Sequence, residues 1–235
     1  MPFQSIEPRR LYRQIADQIR TLVRSGEFPA GSRLPPERDL AKQLGVSRPS
    51  VREALIALEV EGLVEVRIGS GIYVLANHEA VPDLLADTDA PAGPFELLRA
   101  RYVVEGECAA LAAKSAKKHH LQAIEAALTE MEREHGTGIH PLSADRVFHL
   151  RIAEATGNGA LVHVIKTLWD ERMGPLYKQL ENHYDTPGLW ETAMAEHRAV
   201  QKAIAGHDPA AAKAAMQRHL NMAYKRFSKG WDTLQ

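Results

Sequence analysis

The sequence has one cysteine, Cys108, in 235 residues. A lone thiol excludes an internal disulfide framework and fits a reducing compartment. No apolar run approaches the ~18 residues that a membrane span needs. The opening residues, MPFQSIEPRRLY, lack the hydrophobic segment of an export signal. A cytoplasmic chain without a membrane partner is therefore expected. Net charge is nearly absent too, at −1, which argues neither for nor against nucleic acid. What is present is 45% hydrophobic residues, enough for a real core, and 25% charged residues, ordinary for a globular protein.

The distribution of charge says more than its sum. Residues 1–76 carry 11 Lys/Arg against 9 Asp/Glu, and residues 77–235 carry 18 against 21. Within 33–52, Arg33, Arg38, Lys42, Arg48 and Arg52 face only Glu37 and Asp39, a modest basic patch. Residues 77–94, NHEAVPDLLADTDAPAGP, hold three prolines, one glycine and four acidic side chains. They read as a linker, with room for a short helical stretch, between a domain at 1–76 and another at 95–235.

In the first domain Leu11, Ile15, Ile19 and Leu22 fall at helical spacing. PPERDLAKQLG (35–45) reads as a short second helix: prolines at its start, acids in its first turn, glycine after its end. VSRPSVREALIALEVEG (46–62) is a third, with Ser47 as N-cap, Pro49 in the first turn and Gly62 as stop. The period then changes to two. Val64, Val66 and Ile68 alternate with Glu65 and Arg67, and the Gly-Ser-Gly centre of VEVRIGSGIYV (64–74) reads as a tight hairpin turn. The second domain is predicted helical throughout, over about 95–116, 119–135, 142–156, 159–180, 187–205 and 209–229, with Pro175 placed to kink or split its helix. The fold class is mainly α: a winged helix-turn-helix domain of three helices and a β-hairpin, then an all-α bundle of about six or seven helices.

A recognition helix enters the major groove by its N-terminal turn, so base-reading residues cluster there. Here that turn is SRPSVRE. Arg48 and Arg52 lie one turn apart, and an arginine can pair bidentately with guanine O6 and N7. Ser47 and Ser50 are short donors beside them, and Arg38 on the preceding helix is placed for backbone or base contact. Arg67 on the wing suits a phosphate. An isolated S-R-x-S-x-R would more often be a solvated helix face. The complete order of helix, helix, turn, helix and glycine hairpin favours DNA binding.

The stretch GSRLPPERDLAKQLGVSRPSVREALIALEVEGLVEVRIGSGIYV (31–74) resembles the DNA-binding domain of GntR-family bacterial transcription regulators. The resemblance implies that Arg38, Arg48 and Arg52 are the main DNA contacts, with Ser47, Pro49 and Ser50 beside them, and that Gly69 at the wing tip approaches the minor groove. Some relatives place a histidine just before that glycine; this chain has Ile68.

In ADRVFHLRIAEATGN (144–158), Asp145, His149, Ile152 and Thr156 form one helical stripe. His197 shares a face with Ala193, Val200 and Ile204. His219 is centred among Ala212, Ala215, Met216, Met222 and Ala223. Buried imidazoles need partners. Either these three are separately hydrogen-bonded core residues, or they meet at a metal ion. His163, beside Lys166, Thr167 and Asp170, reads as solvent-facing, and His119, His120, His135, His140 and His183 as surface residues near helix ends.

RYVVEGECAALAA (101–113), DRVFHLRIAEATGN (145–158), EHRAVQKAIAGHDPAAA (196–212) and MQRHL (216–220) resemble the all-helical FCD effector domain of the FadR-like GntR subfamily. Many members hold a divalent metal with one Asp and three His, and those positions match Asp145, His149, His197 and His219. Members specialised for acyl-CoA lack this set. One carboxylate and three imidazoles suit Zn²⁺ first, with Ni²⁺ or Mn²⁺ also compatible. A small carboxylate effector could complete the coordination. Arg101 matches a recurrent family arginine that could clamp the effector; a salt bridge to Glu105 is the equal alternative. Asn158 could bind the ligand or cap the next helix.

The expected function is a ligand-responsive, non-enzymatic regulator, more often a repressor in this family, that binds a palindromic operator as a homodimer. The competing class is a metal-dependent hydrolase or oxygenase with an appended DNA-binding domain. No committed general base stands beside the candidate ligands, and Glu154 lies on another helical phase.

Overall fold

The computed structural model describes residues 10–76, 91–184 and 187–229. Most of the expected linker, 77–90, lies outside the described residues. The chain divides into two compact units, one of Met1–Phe95 with Pro175–His183 and Ser228–Gln235, the other of Glu96–Gly174 with Tyr184–Phe227. The helices and strands in chain order are α1 (Leu11–Arg24), α2 (Glu37–Leu44), α3 (Arg48–Val60), β1 (Val64–Arg67), β2 (Gly71–Val74), α4 (Pro94–Ser115), α5 (Lys118–Gly136), α6 (Leu142–Ala155), α7 (Gly159–Arg172), α8 (Pro175–Asn182), α9 (Pro187–Ala205) and α10 (Pro209–Ser228). The chain is mainly α, with a winged helix-turn-helix and a helical bundle.

In the first unit α1 and α2 both pack on α3. Of the stripe that the spacing marks on α1, Ile15 and Ile19 face the core and the two end leucines do not. Leu11 and Leu22 are exposed, and Tyr12, Ile15, Ala16, Ile19 and Val23 are buried. Gly45 ends α2 in the left-handed conformation, φ 65°, and starts the turn to α3. Ser47 caps α3 by accepting from Ser50 N at 3.3 Å. α3 is walled on most sides, with Val51, Leu55, Ile56 and Leu58 fully buried. β1 and β2 pair antiparallel, Val64 opposite Val74 and Arg67 opposite Gly71. Residues 31–34 add a short third edge through Leu34 N to Ile72 O and Val74 N to Ser32 O. Ile68 is a turn residue, exposed at the wing tip.

The long helix expected over 159–180 is two helices. α7 stops at Arg172, and Pro175, which cannot donate to the preceding turn, opens α8. α8 packs on α3 within the first unit. In the second unit α5 packs on α6 and α9, and α6 on α7. The buried side chains of this unit include Phe148, Ile152, Ile165, Trp169, Val200 and Ile204, with Met216 and Leu220 from α10.

Candidate metal and effector site, and the DNA-reading helix

Asp145, His149, His197 and His219 come from α6, α9 and α10, and all four are buried. One ring nitrogen from each histidine lies within 4.8 Å of the others. Asp145 Oδ1 is 2.9 Å from His197 Nε2 and 3.3 Å from His149 Nε2. The three histidines therefore cluster, with Asp145 beside two of them.

The outward side of each ring explains which nitrogen faces inward. His149 Nδ1 meets the Glu105 carboxylate. His197 Nδ1 is 2.7 Å from the Ala193 carbonyl oxygen. His219 Nδ1 is 2.9 Å from Glu196 Oε2. Each of these partners can only accept, so each Nδ1 carries the proton and donates it. In a neutral ring bonded this way the lone pair is on Nε2. His149 Nε2 is buried and makes no hydrogen bond. A neutral His197 presents its Nε2 lone pair to Asp145 Oδ1, two acceptors 2.9 Å apart. Such a pair needs a positive charge between it, a proton or a cation.

The electrostatics suit that demand. Burial pushes the Asp145 carboxyl up, but His149 and His197 outweigh it and hold it well below the usual range. Burial opposes charge on His149, yet Glu105 and Asp145 raise its pKa. Burial, with His197 beside it, depresses His219 to about 3, so its ring is neutral at physiological pH. A buried carboxylate beside three buried imidazoles, each bonded outward through Nδ1, is a set of groups that could hold a divalent ion.

Four supporting residues escaped the sequence reading as parts of this site. Glu105 binds His149 and also accepts from Arg101 Nε at 2.6 Å; burial raises its pKa, but Arg101 and His149 bring it down to about 2. Glu196 carries His219 and pairs with Arg226 at 2.8 Å. Arg172 Nη2 lies 3.7 Å from Asp145 Oδ2. The Trp169 ring stands 5.0 Å from that of His149, with the guanidinium carbons of Arg101 and Arg172 4.2 and 4.9 Å from its centroid. The Glu105–His149 contact spans 44 positions, and only tertiary packing could reveal it. Arg101 and Glu105, four apart, were visible as a pair.

The two effector candidates fare differently. Arg101 forms the salt bridge to Glu105 and lies buried one residue behind His149. Asn158 is exposed, and its Oδ1 accepts from Ala160 N and Leu161 N at 3.0 and 3.4 Å. It is the N-cap of α7, the capping role that stood beside ligand binding as its alternative. Glu154 is exposed and pairs with Arg151. His163 is exposed as expected.

On α2, before the reading helix, Arg38 is exposed, its Nε 3.4 Å from neighbouring Asp39. The Ser47 and Ser50 hydroxyls lie 2.8 Å apart in an exposed position. Pro49 occupies the first turn of α3, and Gly69, at φ 73°, sits in the wing turn. Arg67 is half-exposed against Tyr73, 4.7 Å from its ring centroid. The expectation that Arg48 and Arg52 reach the groove together is corrected. Arg52 is 1% exposed, with Nε and Nη2 on both oxygens of buried Glu37 at 2.7–2.9 Å. Its side chain serves the interior of the domain, while Arg48 keeps 39% of its side chain exposed.

A DNA-reading winged helix joined to a helical ligand-binding domain defines a transcription regulator. The family model "Bacterial regulatory proteins, gntR family" matches residues 11–74, and the FCD domain model matches residues 96–222. The chain belongs to the GntR family and carries an FCD domain. It is 40% identical over 227 residues to the Uxu operon transcriptional regulator of Escherichia coli K12, covering 92% of this chain and 86% of that one. It is 38% identical over 218 residues to the Exu regulon transcriptional regulator of the same organism, covering 91% and 83%. A solved GntR structure from Streptococcus agalactiae aligns with a TM-score of 0.50 at 27% identity, covering 91% of this chain and 99% of that one. These relatives are regulators, and so is this protein; it is not an enzyme. Among the described residues no helix is long and apolar enough to cross a membrane.

Proposed function

We propose that this regulator is a repressor that binds a palindromic operator as a homodimer and is controlled by a small carboxylate effector anchored on a divalent metal. The observation that carries the reading is the orientation of the three imidazoles. Each Nδ1 is bonded outward, to Glu105, Ala193 O or Glu196, the Nε2 atoms of His149 and His197 lie 3.3 and 2.9 Å from Asp145 Oδ1, and the three rings cluster. Asp145, His149, His197 and His219 would hold the ion, Zn²⁺ before Ni²⁺ or Mn²⁺. When bound, the ion would supply a Lewis-acidic anchor for one effector carboxylate. Arg172 and Arg101, stacked on Trp169, supply positive charge beside it.

Coupling has a material route in α4. Its first turn is bonded to the reading helix through Phe95 N and Glu53 Oε1 at 2.7 Å. The same helix carries Arg101 and Glu105. An effector that discriminates between two settings of α4 would shift the population that binds DNA. The relatives' control of an operon and a regulon suits this role. Operator symmetry follows from a two-fold dimer. The test is a thermal-shift screen of small organic acids on the full chain, with and without chelator. A carboxylate that stabilises the protein only without chelator supports the reading; equal shifts in both arms reject the metal anchor.

A further inference from the structure

Glu37 is an acid directly behind a surface that must approach phosphates, where a negative charge ordinarily weakens binding. It is buried, and its carboxylate joins two arginines of α3. Arg52 takes both oxygens, and Arg48 Nε donates to Oε1 at 2.9 Å. We infer that Glu37 is a positioning residue for sequence reading: it holds the Arg48 guanidinium by its Nε side at the first turn of α3 and so sets the end-on edge that meets a guanine.

Three observations carry this. First, the Glu37 side chain is 1% exposed while that of Arg48 is 39% exposed, so the tether is fixed at its inner end and reaches solvent at its outer end. Second, the bidentate pair to Arg52 locks the carboxylate in one orientation, so Oε1 is a fixed point. Third, Arg38, the other arginine of this face, is 76% exposed and pairs only at 3.4 Å with an exposed neighbour, so it has no comparable anchor. A bidentate contact to O6 and N7 depends on the plane of the guanidinium. Arginine has a large rotamer entropy, and preordering it lowers the cost of making that contact. Arg52, which sequence spacing would assign to the groove, instead orients the acid that orients Arg48.

The inference rests on Arg48 reading bases, as the proposed function holds. It is tested on the full chain with a duplex that the protein selects from a random pool, against the scrambled duplex. Three variants separate the possibilities: Arg48→Ala, Arg52→Met, and Glu37→Gln with Arg52→Met. The double variant removes the buried charge pair together, so no buried cation is left alone. Arg48→Ala should abolish the preference for the selected duplex; a retained preference would refute the reading role of Arg48 itself. Arg52→Met should weaken the preference by clearly less than the double variant, because Glu37 loses its lock but still accepts from Arg48 Nε. The double variant should lose it by about tenfold or more, while binding the scrambled duplex at least as well as the wild type. If the double variant discriminates as well as Arg52→Met, Glu37 does not position Arg48. If Arg52→Met alone loses as much as the double variant, Arg52 is the reader and the inference is wrong. A second measurement needs no variant: in ¹⁵N-arginine-labelled protein, Arg48 Nε–H should exchange with solvent at least about tenfold more slowly than Arg38 Nε–H. Equal exchange would overturn the tether.

Discussion

Replacing Glu105 by Gln probes the candidate site without touching a metal ligand. The carboxylate accepts from Arg101 on one oxygen and from His149 Nδ1 on the other. Glutamine has one acceptor oxygen and an NH₂ that only donates. If the oxygen stays with Arg101, the NH₂ faces His149 Nδ1, and the imidazole must move its proton to Nε2. That nitrogen then no longer offers a lone pair beside Asp145. Loss of an outer-shell partner costs about 10–100-fold in metal affinity, or roughly 1.4–2.8 kcal/mol. The apo protein suffers separately, because Arg101 is 3% exposed and loses its counter-charge. Breaking a buried pair from one side costs about 3–5 kcal/mol. Competition titration with a chromophoric Zn²⁺ chelator measures the first effect, and urea unfolding of the apo protein the second. A Glu105→Gln protein that is destabilised but binds Zn²⁺ as tightly as the wild type would refute the tautomer argument, and with it the reading of Glu105 as a support for the site.

Other outcomes follow from single contacts. Asn158→Ala should cost about 1 kcal/mol as a lost N-cap and leave metal affinity unchanged; a large loss of metal or effector affinity would restore its ligand role. Gly71→Ala should destabilise the wing by about 1 kcal/mol or more, because φ is +133° and the new Cβ would stand 2.3 Å from Arg33 Nε; an unchanged melting curve would contradict it. Cys108 is 1% exposed and burial pushes its thiol up to about 12, so the native chain should resist a thiol-specific disulfide reagent at neutral pH and react fully in denaturant. Fast native reaction would show that α4 opens.

The parts of this protein written as local pattern were legible before any coordinates. Glycine and proline punctuation marked α2, α3 and the hairpin, and the helical phase of Asp145, His149, His197 and His219 marked an inward-facing set. Phase identifies a face but not its neighbours. Arg52 has the phase and charge of a groove contact, and only Glu37, fifteen positions away, turns it inward. Asn158 follows a glycine in a step that serves both ligand binding and capping, and it caps α7, which begins at the next residue. Glu105 was visible as a partner for Arg101, but not as the support of His149. The fate of 175–182 was half visible: Pro175 signals a break, while no local signal says that the next turns pack on α3.

The central claim is that Asp145, His149, His197 and His219 hold a metal ion. Its most direct test is elemental analysis of the purified full chain alongside His219→Ala, with Zn²⁺, Ni²⁺ and Mn²⁺ each offered during purification. About one divalent ion per wild-type chain, lost in the variant while the helical content remains, is the expected result. A wild-type chain that retains none of the three, yet binds its effector with full affinity, would contradict the account.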